Sequence, residues 1–320
     1  MRRIAVATTG GDAPGMNACI RAVVRGAVAQ GMEVVGIEEG FEGMIEGKMK
    51  RMNSRSVSGI INRGGTILRT SRCEEIRREE GIRKAIANLR RWKVSGLIII
   101  GGEGSFRGGW DLHRASRLPI VGIPASIDND IAGTELTIGF DTAVNTALEA
   151  INKIRDTAFS HERVFLVEVM GRTRGFLALE VGLACGAEMI LIPEVKYTVD
   201  EIVSRLREWR RAGKSSIIIV MAEGAGSPDA IAEHISDITG YEVRVSRLGY
   251  IQRGGAPTAL SIKLAMLFGT HAVGLIKRLK GAKMLGIERG KIVERSLNYP
   301  LLNRKKIDMD LYRLANSMSI

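Results

Sequence analysis

Leu97-Ile98-Ile99-Ile100-Gly101-Gly102-Glu103-Gly104-Ser105 sets four large aliphatic residues directly against a glycine-rich turn. A short apolar, β-branched run bounded by glycine predicts a buried strand, and the turn behind it predicts entry into a helix. The same arrangement recurs outward in both directions. Arg3-Ile4-Ala5-Val6-Ala7 runs into TTGGDAPG (8–15), and Leu118–Ile123 runs into PASIDND (124–130). Val164–Val167 precedes Met170–Gly175, Ile217–Val220 precedes Ala222–Gly226, and a further polar turn spans Gly249–Gly255. Between these runs lie longer amphipathic stretches. From Gly15 to Gln30, for example, Ile20, Val23, Val24, Ala27 and Val28 form one stripe, while Arg21 and Arg25 sit one turn apart. Strand alternating with helix in this way predicts an α/β fold with mostly parallel sheets and helices on both faces.

The expected organisation is two interwoven Rossmann-like lobes. The break is placed near 138–140, giving a first lobe over 1–138 with a C-terminal return segment and a second over 139–320. In open α/β sheets ligands gather at the carboxyl ends of strands. Six polar or glycine-rich turns in that position predict an assembled binding site.

Composition narrows the possibilities. The 320 residues are 45% hydrophobic, enough for two cores. The chain has no apolar run near the ~20 residues of a membrane span, so no membrane association is expected. The apolar stretch after Met1 is too short for a secretory signal and reads as a first strand. Cys19, Cys73 and Cys185 are scattered and odd in number, as suits a reducing cytoplasm, and the four histidines lack zinc-ligand spacing. Lys and Arg outnumber Asp and Glu 47 to 35, a net +12 with a pI near 9.9. That charge is dispersed and aromatics are only 5%, which favours anionic small molecules over nucleic acid.

The turns carry the chemistry. Glycines before a helix let backbone N–H groups approach phosphate oxygens. Gly10-Gly11 and Gly101–Ser105 both suit that task, although neither is a Walker or GxGxxG pattern. Glu103 suits either a magnesium ion or the dipole of the helix it opens. Asp128 and Asp130 flank Asn129. In extended chain they would share a side; the alternative is an Asx-type turn capping the next element. Arg72, Arg163, Arg172, Arg244 and Arg253 lie in or beside loops and strand ends, where a phosphate can be gripped bidentately.

GGDAPGMN (10–17), INRGGTILRTSR (61–72), GGEGS (101–105), IDND (127–130), Asp156–Arg163, EVMGR (168–172) and QRGG (252–255) follow one another over almost the whole chain. In this combination and order the sequence resembles the bacterial-type ATP-dependent 6-phosphofructokinases. The resemblance implies transfer of the ATP γ-phosphoryl group to the 1-hydroxyl of fructose 6-phosphate, with Mg2+, in a cytoplasmic homotetramer of glycolysis. It implies a nucleotide pocket at Gly11, Arg72, Cys73, Gly102, Glu103, Gly104 and Ser105, with Glu103 on the metal. It implies a sugar-phosphate pocket at Ser126, Ile127, Asp128, Met170, Gly171, Arg172, Glu223, Tyr250, Ile251, Gln252 and Arg253. Asp128 matches the general base, with Arg72 and Arg172 as catalytic cations and Asp130 in the metal-side network. Arg163 and Arg244 match arginines given across a subunit interface. Arg21, Arg25, Arg155, Glu188 and Lys214 match an effector site for ADP or phosphoenolpyruvate.

Several positions depart from the usual pattern of that family. Glu103 stands for aspartate, Ser126 for threonine and Tyr250 for histidine. In the effector set, Ser54 and Gly59 stand for arginine and aspartate, and Ala212 for lysine. Pyrophosphate-using relatives typically carry aspartate and lysine where this chain has Gly104 and Ala125, so ATP is the expected donor. The alternatives are pyrophosphate use, another sugar-phosphate acceptor, or a non-catalytic metabolite-binding subunit.

Overall fold

The computed structural model describes residues 2–318. Two compact units are built from interleaved segments. One comprises the chain up to Thr142 together with Arg253–Lys305; the other comprises Ala143–Gln252 and the segment from Lys306 onward. The sequence reading places the break near 138–140 with a C-terminal return segment; the chain changes unit three times, after Thr142, Gln252 and Lys305. The first change falls inside the helix Phe140–Ser160, where no turn signal marks it.

The first unit takes β1 (Arg3–Thr9), β2 (Glu33–Ile37), β3 (Met49–Met52), β4 (Gly96–Gly101), β5 (Ile120–Ser126) and the short β6 (Ile138–Gly139). The second takes β7 (Val164–Val169), β8 (Met189–Leu191), β9 (Ile217–Ala222) and β10 (Val243–Arg247). The returning segment adds β11 (Ala282–Glu288) and β12 (Lys291–Ser296) to the first. Among the described residues the first sheet runs β12-β11-β5-β4-β1-β2-β3, with β6 paired to β5. It is parallel except for β3 and β12 at its edges. The second runs β10-β7-β9-β8, all parallel.

Helices follow the strands as the pattern predicts. In the first unit α1 (Met16–Ala29), α2 (Gly40–Glu46), α3 (Glu79–Arg91) and α4 (Glu103–Ser116) cover the sheet, and α5 (Phe140–Ser160) leads out of it. Strand alternation puts Ala5 and Ala7 of β1 into the core shared with Phe41, Met44, Leu89 and Phe106. In the second unit α6 (Phe176–Ala184), α7 (Val199–Arg211) and α8 (Pro228–Thr239) follow β7, β8 and β9, and Leu206, Trp209, Ile231 and Ile235 pack on Val164, Ile217 and Ile219.

The long α9 (Ala259–Arg278) belongs to the first unit, and α10 (Tyr299–Leu302) and α11 (Met309–Ser317) close the chain. By length and composition α9 could cross a membrane, contrary to the sequence reading. Lys263 and His271 interrupt its apolar run and hide it from a simple count. It is a core helix: Leu264, Phe268, Ala272 and Ile276 are buried, and Gly269 packs against Cys19 and Ala22 of α1.

Strand order in the first sheet reverses at β1, which is flanked by β2 and β4. At such a switch point the loops leaving two neighbouring strands diverge and leave a crevice at their carboxyl ends. The loops there are Gly10–Gly15 and the Gly101–Ser105 turn.

Candidate functional site

In the first unit the crevice is built by tight contacts between loops. Ser105, in the first turn of α4, is buried and its Oγ donates to the Thr9 carbonyl oxygen at 3.0 Å. A Cβ added at Gly101 would stand 2.4 Å from that hydroxyl, so only glycine lets α4 approach β1 so closely. By contrast, nothing lies within 4 Å of where a side chain at Gly102 or Gly104 would begin. Space is open there, over the N-terminus of α4 where backbone N–H groups favour an anion.

The segment 61–73 forms the opposite wall. Gly10 N donates to the Ser71 carbonyl oxygen at 3.2 Å, and Thr70 Oγ1 donates to the Gly10 carbonyl oxygen at 2.8 Å. Thr8 Oγ1 donates to the Arg69 carbonyl oxygen at 2.7 Å, and Asn17 Nδ2 to those of Arg63 and Gly64 at 3.1 and 3.0 Å. These bonds bring Arg72, exposed, and Cys73, half-buried against the core, beside the Gly10-Gly11 turn. Glu103 is exposed, 3.4 Å from Arg107 one turn along α4. The described residues hold no cluster of three or more metal-ligating side chains. Glu103 itself offers an exposed carboxylate, a hard oxygen donor of the kind magnesium takes.

β5 ends at Ser126, whose Oγ accepts from Asp128 N at 3.2 Å. Asp128 is buried and Asp130 half-buried. Asn129 between them is left-handed (φ 51°) and donates to the Glu135 carbonyl oxygen at 3.0 Å. The extended geometry that would align the two carboxylates ends at β5, so the turn describes this stretch. Arg253 also lies in this unit, with its guanidinium 3.6 Å from Asp12 and close under Gly11. The resemblance had grouped it with the sugar-phosphate set.

The second unit gathers Met170–Arg172, Glu223 and Gln252. Met170 N donates to Gln252 Oε1 at 3.4 Å, and Gln252, fully buried, donates to the Gly249 carbonyl oxygen at 3.1 Å. Gly171 (φ 138°) and Arg172 (φ 54°) make a left-handed turn. A Cβ at Gly224 would stand 2.2 Å from the Arg172 carbonyl oxygen, so the loop carrying Glu223 lies hard against that turn. Tyr250 and Ile251 point outward, 81% and 56% exposed. Glu168, at the end of β7, has its carboxyl pushed up by burial, with Glu223 and Asp229 adding to the shift and Arg247, 3.7 Å away, opposing it.

Arg163 and Arg244 are brought together by a residue that the sequence reading overlooked. Glu242 accepts from Arg163 Nε at 2.7 Å and also pairs with Arg244. Hydrogen bonding from Arg163, more than its own burial, holds the Glu242 carboxyl below the usual carboxylate range. The signal was the parallel pairing of β10 with β7, in which Val243 faces Val164. Three of the effector candidates also cluster in this unit. Arg155 donates to the Cys185 carbonyl oxygen at 2.6 Å, while Glu188, buried, accepts from Ile218 N at 2.8 Å and lies 3.6 Å from Lys214. Arg21 and Arg25 lie on α1 in the first unit.

Comparison with known proteins gives this geometry a family. Residues 3–276 match the profile described as Phosphofructokinase. The chain belongs to the phosphofructokinase family. Among curated phosphofructokinases, the ATP-dependent 6-phosphofructokinase of Halalkalibacterium halodurans is 50% identical over the full length of both chains. That of Thermotoga neapolitana is 47% identical over the same extent. Among solved structures, the phosphofructokinase of Saccharomyces cerevisiae superposes with a TM-score of 0.90 at 34% identity. It covers 99% of this chain, which spans 46% of the yeast chain. The pyrophosphate-dependent phosphofructokinase of Marinobacter aquaeolei shares the fold, with a TM-score of 0.86 at 22% identity over 97% of this chain and 86% of its own.

Proposed function

We propose that this phosphofructokinase transfers the γ-phosphoryl group of ATP to the 1-hydroxyl of fructose 6-phosphate, giving fructose 1,6-bisphosphate and ADP in glycolysis. The observation that carries the reading is the full-length identity of 47–50% to relatives named for that activity. The open space before Gly102 and Gly104 supports it, because a nucleotide's phosphates can approach the N-terminus of α4 there.

In this reading Asp128 takes the proton of the attacking hydroxyl as general base. Its burial limits solvation, and the Ser126 hydroxyl steadies the turn that carries it. Phosphoryl transfer spreads charge over the moving group, so the protein chiefly supplies positioning and cations. Arg72 and Arg172 are those cations, and Gly11, Cys73, Gly102, Gly104 and Ser105 line the nucleotide. Glu103 would hold Mg2+, which would neutralise phosphate charge when bound. Ser126, Ile127, Met170, Gly171, Glu223, Tyr250, Ile251, Gln252 and Arg253 bind the sugar phosphate. Arg163 and Arg244 serve the site of a neighbouring subunit in a cytoplasmic homotetramer. Arg21, Arg25, Arg155, Glu188 and Lys214 form an effector site whose response is weakened by the missing charges at Ser54, Gly59 and Ala212.

A coupled assay on the purified protein tests the reading, with ATP or pyrophosphate as donor and fructose 6-phosphate or sedoheptulose 7-phosphate as acceptor. Turnover with ATP and fructose 6-phosphate well above the other pairs is expected. Preference for pyrophosphate, or no turnover with any pair, would overturn it.

A further inference from the structure

Lys305 stands in the irregular stretch between α10 and α11, and its side chain is taken up by the loop behind β5. Its Nζ donates to the Glu135 carbonyl oxygen at 2.8 Å. The same oxygen accepts from Asn129 Nδ2, the left-handed residue directly after Asp128. Thr137 Oγ1 donates to the Ser126 carbonyl oxygen at 2.5 Å and lies 3.3 Å from Asn129 Oδ1. The far end of the loop is anchored on β11. Glu135 N donates to the Ile287 carbonyl oxygen at 2.9 Å, and the Glu135 carboxylate accepts from Arg289 N at 3.0 Å. The Glu135 carbonyl is therefore the joint between this anchored end and the turn that carries Asp128.

Burial pushes the Lys305 ammonium down to about 8, against the opposing pull of Asp130 and Glu135. Desolvating a lysine is costly, and a side chain needed only for packing would avoid that cost.

We infer that Lys305 is a positioning residue for the reaction at Asp128: its ammonium fixes the Glu135 carbonyl, and through it the Asn129 turn that aims the Asp128 carboxylate. The inference rests on the reading of Asp128 as the base. A cation bound to a carbonyl oxygen makes a charge-assisted hydrogen bond, shorter and stronger than a neutral one. Losing it frees the joint without removing any group that touches the sugar phosphate.

Lys305→Met, Lys305→Arg and Asp128→Asn are compared with the unaltered enzyme at saturating ATP and Mg2+, measuring kcat, the fructose 6-phosphate KM and Tm. A misplacement of about 1 Å costs on the order of 100-fold in rate. Lys305→Met is therefore expected to lose about 10- to 100-fold in kcat, with KM within about threefold. Lys305→Arg, which keeps the cation, recovers most of that loss. If Lys305→Met keeps kcat within about threefold while Asp128→Asn is crippled, the positioning role is wrong and the base assignment stands. If Asp128→Asn is itself near normal, the underlying reading fails instead. A Lys305→Met loss that follows lowered Tm, raises KM equally and is not recovered by arginine marks a merely structural residue and overturns the inference.

Discussion

Ser105 Oγ donates a hydrogen bond to the Thr9 carbonyl oxygen at 3.0 Å, tying the first turn of α4 to the last residue of β1. The bond is buried, and a typical intramolecular hydrogen bond contributes about 0.5–1.5 kcal/mol. Ser105→Ala should lower Tm by several degrees and raise the KM for ATP, because the Gly102–Gly104 turn loses its anchor. Thermal melts and ATP kinetics check this; wild-type values for both would show that the bond does not organise the turn.

At Gly224 even a methyl group has no room, because its carbon would stand 2.2 Å from the Arg172 carbonyl oxygen. Gly224→Ala must push the Gly171-Arg172 turn aside. The fructose 6-phosphate KM should rise by about tenfold or more, since a shift of about 1 Å is enough to spoil a bidentate grip. The ATP KM should stay near normal. Equal loss for both substrates would contradict a local effect on the sugar side.

Gly104 presents the opposite case. Nothing crowds the position, so Gly104→Asp should fold normally. Its carboxylate would meet the phosphates expected over α4, and catalytic efficiency for ATP should fall by about 100-fold, or roughly 3 kcal/mol. Circular dichroism and ATP kinetics separate folding from repulsion. Unchanged ATP kinetics would remove Gly104 from the nucleotide site.

Much of this was legible in the sequence, and for a definite reason. β4 and β1 announce themselves because aliphatic runs end in glycine at the switch of strand order, so pattern and topology agree there. The resemblance supplied the Asp128 and Arg172 assignments, but not their settings. Segment 61–73 has no periodicity, and its place beside Gly10 is fixed by long-range bonds from Thr8, Thr70 and Asn17 that no local pattern encodes. The turn at Asn129 breaks the alternation that a strand reading extended through Asp130. Glu242 and Lys305 were missed for the same reason: each acts on residues distant in sequence. The return of Arg253–Lys305 to the first unit places Arg253 against Gly11, which the motif QRGG could not reveal.

The proposed sharing of sites between subunits has its own test. Arg163→Ser and Asp128→Asn proteins are each expected to be nearly inactive. After subunit exchange, hybrid sites pairing an intact Asp128 with an intact Arg163 should restore part of the activity. No recovery, with exchange demonstrated by native mass spectrometry, would contradict the sharing.

The measurement that bears most directly on the whole account is the turnover of Asp128→Asn under conditions where chemistry limits the rate. Asparagine keeps the size of the side chain and cannot accept the proton. General-base loss typically costs about 10²–10⁴-fold. A fall in kcat of that size is expected with fructose 6-phosphate binding retained, because the proposed grip on the phosphate comes from arginines. A variant that turns over within threefold of wild type would contradict it.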